Sequence, residues 1–196
     1  MKTRKMEKQS IVVLTFVVLL LTTVSISFGT VGSFRGVGDL DGGYFSSRAY
    51  GVSADGSVVV GRSKSASGTE AFRWVADGGM IGLGDLEGGS FFGGSTDVSG
   101  DGAVVVGFSK SSPGHDDNKG EEAFLWTKAD GMVGLSTLGG GHLWSCAYGV
   151  SAEGSVVVGW SGLEYGVEGR EAFRWRANGG MVGLGDLDGG DFYSWA

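Results

Sequence analysis

The sequence predicts an all-β chain built by repetition. Three observations carry that prediction: one long motif recurs at near-constant spacing, glycines recur at fixed offsets within it, and no stretch beyond residue 30 has a helical apolar period. From Gly38 the chain reads GDLDGGYFSSRAYGVSADGSVVVG, passes a variable stretch and closes with EAFRWVADGGMIGL. The copy from Gly84 reads GDLEGGSFFGGSTDVSGDGAVVVG and closes with EAFLWTKADGMVGL. The copy from Ser136 reads STLGGGHLWSCAYGVSAEGSVVVG and closes with EAFRWRANGGMVGL, and a fourth begins at Gly185 with GDLDGGDFYSWA. The units are thus 38–83, 84–135, 136–184 and, in part, 185–196. Asp39, Asp85, Thr137 and Asp186 stand 46, 52 and 49 residues apart. All the length variation falls between VVVG and EAF, as expected of an exposed loop.

Each unit parses into four short strands. The first lies around Ala49 to Ser53 and ends in Ala-Asp-Gly or its relatives, a hairpin signal because Gly accepts positive φ. The second is Val58 to Gly61, the third Ala71 to Trp74, and the fourth, after a turn at Asp77 to Gly79, is Met80 to Leu83. Glycine makes up 40 of 196 residues, but it stands beside Val, Phe and Trp, which disordered chains lack. A unit of roughly 40–50 residues with four antiparallel strands is the size of a propeller blade. The predicted fold class is therefore all-β: a β-propeller-like array over residues 31–196, preceded by an N-terminal hydrophobic helix. Phe72, Phe124 and Phe173, with Trp74, Trp126 and Trp175, are expected to pack between adjacent blades. Residues 31–40 read as the fourth strand of a further unit, and the chain ends inside a first strand. Open sheet edges of that kind predict self-association.

Residues 1–30 carry a different message. Met1 to Ser10 is basic and Ile11 to Phe28 is an apolar run of 18 residues. That is the pattern of a secretory signal, with Ser25 and Ser27 as small residues for cleavage, or of an uncleaved anchor whose basic end stays inside. Either way the repeats are exported, and the membrane is a partner only through this segment. The net charge is -7, of which the tail contributes +3, leaving -10 for the remainder. Such a body repels phosphate backbones, so nucleic acid is not an expected partner.

The combination of GLGDL-x-GG, YGVSADGSVVVG and EAFRW-x-x-x-GGM resembles the HAF repeat of probable extracellular bacterial repeat proteins, over about residues 36 to 196. The resemblance implies a secreted or surface repeat protein and supplies no catalytic residues. Where that family has His-Ala-Phe, this chain has Glu70-Ala71-Phe72, Glu122-Ala123-Phe124 and Glu171-Ala172-Phe173.

No nucleophile–base set is visible. His115 and His142 lie in different units and neither recurs; the single cysteine, Cys146, reads as a small apolar strand residue. Asp39 and Asp41, or Asp186 and Asp188, loosely resemble oxygen-ligand calcium turns, but the equivalent positions become Asp85 and Glu87, then Thr137 and Gly139. Turn formation is the favoured role, with Ca²⁺ a weak alternative and no other cofactor expected. The informative positions vary on a constant scaffold. After each Gly-Gly the copies read Tyr44-Phe45-Ser46, Ser90-Phe91-Phe92, His142-Leu143-Trp144 and Asp191-Phe192-Tyr193. The middle residue is expected to face the core and its neighbour the opposite side. Ser46, Phe92, Trp144 and Tyr193, joined by Trp160, are thus a candidate ligand-contact rim, or else rings that fill gaps between blades. The predicted function is a non-catalytic interaction module for a glycan or protein, with a polysaccharide-acting enzyme or a structural surface component as alternatives.

Overall fold

A computed structural model describes residues 32–111, 120–140, 144–163, 169–188, 194 and 196. The predicted N-terminal helix, His115, His142, Leu143, Phe192 and Tyr193 lie outside them. Among the described residues no helix is long and apolar enough to cross a membrane. In the described residues twelve strands form three four-stranded antiparallel sheets, each in simple sequence order. The first holds β1 (Gly42–Val52), β2 (Val58–Ser65), β3 (Thr69–Val75) and β4 (Gly79–Gly82). The second holds β5 (Gly93–Val98), β6 (Val104–Lys110), β7 (Glu121–Thr127) and β8 (Gly131–Gly134). The third holds β9 (Ser145–Val150), β10 (Val157–Gly162), β11 (Arg170–Arg176) and β12 (Gly180–Gly183). All three units thus fold as four antiparallel strands, as their repetition predicts.

The first three strands of the first sheet are longer than predicted. β1 begins at Gly42 instead of near Ala49 because Gly42 pairs with Ser65, so the glycine-led segment zips onto an extended β2. Residues 32–40, expected as a fourth strand, form none: a fourth strand needs a third strand beside it, and β1 is the first strand described.

The turn chemistry recurs. Gly56, Gly102 and Gly154 take φ of 74°, 73° and 73°. In the first turn the Asp55 carboxylate accepts the Ser57 N–H at 2.9 Å and the Ser53 hydroxyl at 2.8 Å. Each first strand also carries a bulge, at Ala49/Gly51, Ser95/Asp97 and opposite Val158/Gly159. The bulge presses a carbonyl onto the last residue of VVVG: a Cβ at Gly61, Gly107 or Gly159 would collide with the carbonyl of Arg48, Gly94 or Cys146. Only glycine fits there.

Successive sheets pack face to face through two cores. Val58, Val60, Ala71 and Leu83 of the first sheet meet Val98, Val105 and Phe124 of the second, with Trp126 at the margin. Val106, Ala123 and Leu135 of the second meet Ala147, Val157 and Phe173 of the third, with Trp175 at the margin. Phe124 and Phe173 therefore occupy the between-sheet positions predicted for them. Polar ties cross the same junctions. Val150 N–H donates to Asp97 at 2.9 Å, the Thr96 hydroxyl to the Ala147 carbonyl at 2.8 Å, and Arg73 Nε–H to the Gly102 carbonyl at 3.2 Å.

The connecting straps explain the Glu of each EAF. Glu70, Glu122 and Glu171 accept the backbone N–H of Gly84, Ser136 and Gly185 at 3.0, 2.9 and 2.8 Å, tying each third strand to the segment leading into the next unit. The carboxylates lie over Gly82, Gly134 and Gly183, where a Cβ would strike them. Ser63, Ser109 and Ser161 accept the N–H of Leu40, Leu86 and Leu138 at 3.0, 3.2 and 2.9 Å. The partial fourth unit starts the same way: Ser194 accepts the Ala172 N–H at 2.9 Å, as Ser145 accepts that of Ala123 at 3.0 Å.

Candidate functional site

The rim sits near the start of each first strand, at three positions that are equivalent in every unit. In the first sheet Ser46 lies within the register shift of β1, and Lys64 pairs with Thr69. In the second Lys110 donates its N–H to the Phe92 carbonyl at 3.0 Å and pairs with Glu121. In the third Gly162 donates to the Trp144 carbonyl at 2.7 Å and pairs with Arg170. The triplets are thus Ser-Lys-Thr, Phe-Lys-Glu and Trp-Gly-Arg. A second row reads Arg48 opposite Arg62, Gly94 opposite Phe108, and Cys146 opposite Trp160.

The same frame yields different sites. In the third sheet Trp144 meets Trp160 edge-to-face at 5.1 Å, and the Arg170 guanidinium lies 4.2 Å from both ring centroids. Trp160 donates its Nε1–H to the Tyr148 hydroxyl at 3.1 Å and is only 4% exposed. The rings fill the rim, and Trp144 lies so close over Gly162 that a side chain there would press on it. Cys146 is buried beneath, as expected of an apolar strand residue; burial pushes its thiol up to about 12 and makes it unreactive. Burial likewise raises the Glu121 carboxyl, against the opposing pull of Lys110 and Arg170.

In the first sheet the rim is open. Tyr44, Ser46, Arg48, Arg62, Ser63, Lys64 and Thr69 line a cleft of about 250 Å³, closed on one side by Phe92 of the second sheet, which bridges to Thr69. Lys64 Nζ lies 5.6 Å from the Tyr44 ring and donates to the Thr69 hydroxyl at 2.7 Å, while Arg62 lies 5.8 Å from the Tyr50 ring. Phe92 meets Phe108 at 6.0 Å and carries Lys110 at 5.7 Å.

Of the predicted rim, Ser46 and Phe92 come together in one cleft. Trp144 and Trp160 come together in another place, packed on each other, and Tyr193 lies outside the described residues. Phe45 departs from the expectation that it faces the core: it is 80% exposed, because bulging and twist at the start of β1 break strict alternation. Arg170 ends the segment Ser161 to Arg170 that the sequence joins to the rim with Trp160, whereas Arg48, Arg62 and Lys64 went unpredicted. For Arg62 and Lys64 the signal was present in the positions after VVVG, where Arg-Ser-Lys, Phe-Ser-Lys and Trp-Ser-Gly vary around a constant serine.

The recurring acids have backbone duties. The Asp85 carboxylate accepts the Ser109 hydroxyl, and its half-burial holds its pKa above the usual range. Asp186 accepts the Leu187 N–H at 2.8 Å. Among the described residues no three His, Cys, Asp or Glu side chains converge as a metal site.

No family model matches this chain, and no curated protein does. Solved structures do. TolB from Acinetobacter baumannii aligns at 14% identity and a TM-score of 0.48, over 75% of this chain and 34% of that one. A protein described as TolB from Agrobacterium tumefaciens aligns at 18% identity and a TM-score of 0.48, over 74% of this chain and 51% of its own. The chain thus spans about a third to a half of the structures it is similar to.

Proposed function

We propose that the chain is an exported, β-propeller-like interaction module that binds a glycan or a protein partner through the rim of its sheets, without catalysis. The observation that carries this reading is the open cleft between the first and second sheets, at the position the third sheet fills with tryptophan. A fold that repeats its scaffold while varying one rim suits recognition, since rings beside hydroxyls and cations stack and hydrogen-bond. The recurring Glu and Asp side chains are engaged by backbone N–H groups, which suits a scaffold role. The basic and apolar segment before residue 30 and the HAF-repeat resemblance support export to the cell surface or beyond. A glycan array and a surface-protein pull-down with the full chain test the reading. Phe92→Ser is expected to abolish capture with little change in melting temperature; Trp144→Ser is expected to lower the melting temperature and leave capture intact. Capture that survives Phe92→Ser would count against this rim.

A second reading rests on a separate observation. Leu184 is 56% exposed, whereas its equivalents Leu83 and Leu135 are 7% and 5% exposed because the following sheet covers them. Val52, equivalent to the buried Val98, is exposed on the first sheet. The described residues thus present both halves of the sheet–sheet interface, and we propose that a second copy, joined head to tail, covers them. Light scattering is expected to show an oligomer that Leu184→Ser dissolves; a monodisperse monomer overturns this reading.

A further inference from the structure

The cleft between the first and second sheets is cationic in a body that is strongly acidic. Its lining contains Arg48, Arg62 and Lys64 and no carboxylate. Arg48 and Arg62 are direct cross-strand partners, an arrangement that is unfavourable for like charges unless an anion lies between or beside them. No carboxylate among the described residues forms an ion pair with any of the three. The equivalent pairs elsewhere are Gly94 with Phe108 and Cys146 with Trp160, so the scaffold does not require arginine here.

Two further features narrow the ligand. Tyr44 and Phe92 bring rings to the cleft, and Ser46, Ser63 and Thr69 bring hydroxyls. A bare inorganic anion would use the cations and leave the rings idle. The volume of about 250 Å³ falls just below the range of drug-sized ligand sites, which suits one sugar ring and is small for a folded peptide segment. Guanidinium groups match a carboxylate in planar, two-point fashion, and aromatic faces suit the C–H face of a pyranose.

We propose that this cleft binds an acidic pyranose unit, its carboxylate held by Arg48 and Arg62 and its ring against Phe92 or Tyr44. The proposal rests on the reading of the chain as a binding module and names the class of ligand. It also accounts for recognition by a protein of net negative charge: the attraction is local, confined to one cleft, and is weakened by salt.

Calorimetric titration of the full chain with trigalacturonate, with the neutral trisaccharide of galactose and with inorganic phosphate tests it. Trigalacturonate is expected to bind at least about tenfold more tightly than the neutral sugar, the margin of a charge-assisted pair of hydrogen bonds. Arg48→Gln with Arg62→Gln should remove that margin, and Phe92→Ala should weaken trigalacturonate while leaving weak phosphate binding unchanged. Thermal melting of each variant, and Lys64→Gln as a single change that keeps a polar side chain, separate lost recognition from lost folding. Equal affinity for acidic and neutral sugars overturns the charge assignment while leaving the module reading standing. Phosphate binding as tight as trigalacturonate overturns the sugar assignment. Capture of neutral glycans or proteins on the array without acidic sugars overturns this proposal alone; no capture of any class overturns the module reading as well.

Discussion

The first and third sheets share a strand order, a mid-strand bulge and a strap, yet their rims differ in kind. At the same three positions the first sheet has Ser46, Lys64 and Thr69, and the third has Trp144, Gly162 and Arg170. In the third sheet two indoles and a guanidinium pack on one another, so the large residues became packing. In the first sheet Ser46 stands where the third has an indole, the cations remain, and the space is left open beside Tyr44 and Phe92. Tryptophan at a rim is therefore no proof of a binding face; what counts is whether the ring is already occupied by its neighbours.

The largest effect should come from the filled rim. Trp160→Ala removes a buried indole and the hydrogen bond to Tyr148, and is expected to cost about 3–5 kcal/mol, read as a lowered denaturant midpoint. Binding in the cleft of the first sheet should not change. Exchanging the pattern is next. Gly162→Lys sets a long side chain against Trp144 and should cost about 1–3 kcal/mol by overpacking, whereas Lys64→Gly should cost only about 0.5–1 kcal/mol, the usual loss for glycine in a strand. If Gly162→Lys is silent, the packing account of the third rim fails.

Ser63→Ala and Ser161→Ala probe what the two sheets share. Each leaves the strap N–H of Leu40 or Leu138 without its acceptor, and each should cost about 1–2 kcal/mol. Equal losses in thermal melts would mean that the sheets differ only at the rim. The smallest effect concerns the exposed turn at the other end of β1. Hydrogen bonds from the Ser57 N–H and the Ser53 and Ser57 hydroxyls hold the Asp55 carboxyl down at about 2. Its folded pKa is depressed, so its contribution is present above the unfolded value of about 4 and is lost as pH falls toward 2. Glu121, raised by burial, acts oppositely: acidification through its window favours the fold. An Asp55→Asn variant should show a slightly flatter loss of stability between about pH 4 and 2 than the parent.

Much of this was legible from the chain itself. Phe124 and Phe173 announced their place between sheets by recurring at one offset, and VVVG announced the strand beside the bulge. The fate of Phe45 was not legible, because alternation along a strand assumes a regular pleat and β1 is bulged. The cleft escaped notice because its lining comes from three strands and from Phe92 of the next sheet, residues up to 48 positions apart from Tyr44. Sequence reading also weighed rings and passed over Arg62 and Lys64.

By itself the sequence determined that each full unit folds as four antiparallel strands, and where the glycine-bearing turns between them fall. Those are local matters, set by period-two alternation and by φ, and repetition multiplies the signal. Only the tertiary structure decided which rim is open. Whether a tryptophan faces solvent or a neighbouring indole depends on the volume of its cross-strand partner and of the next sheet, and volume is balanced in space.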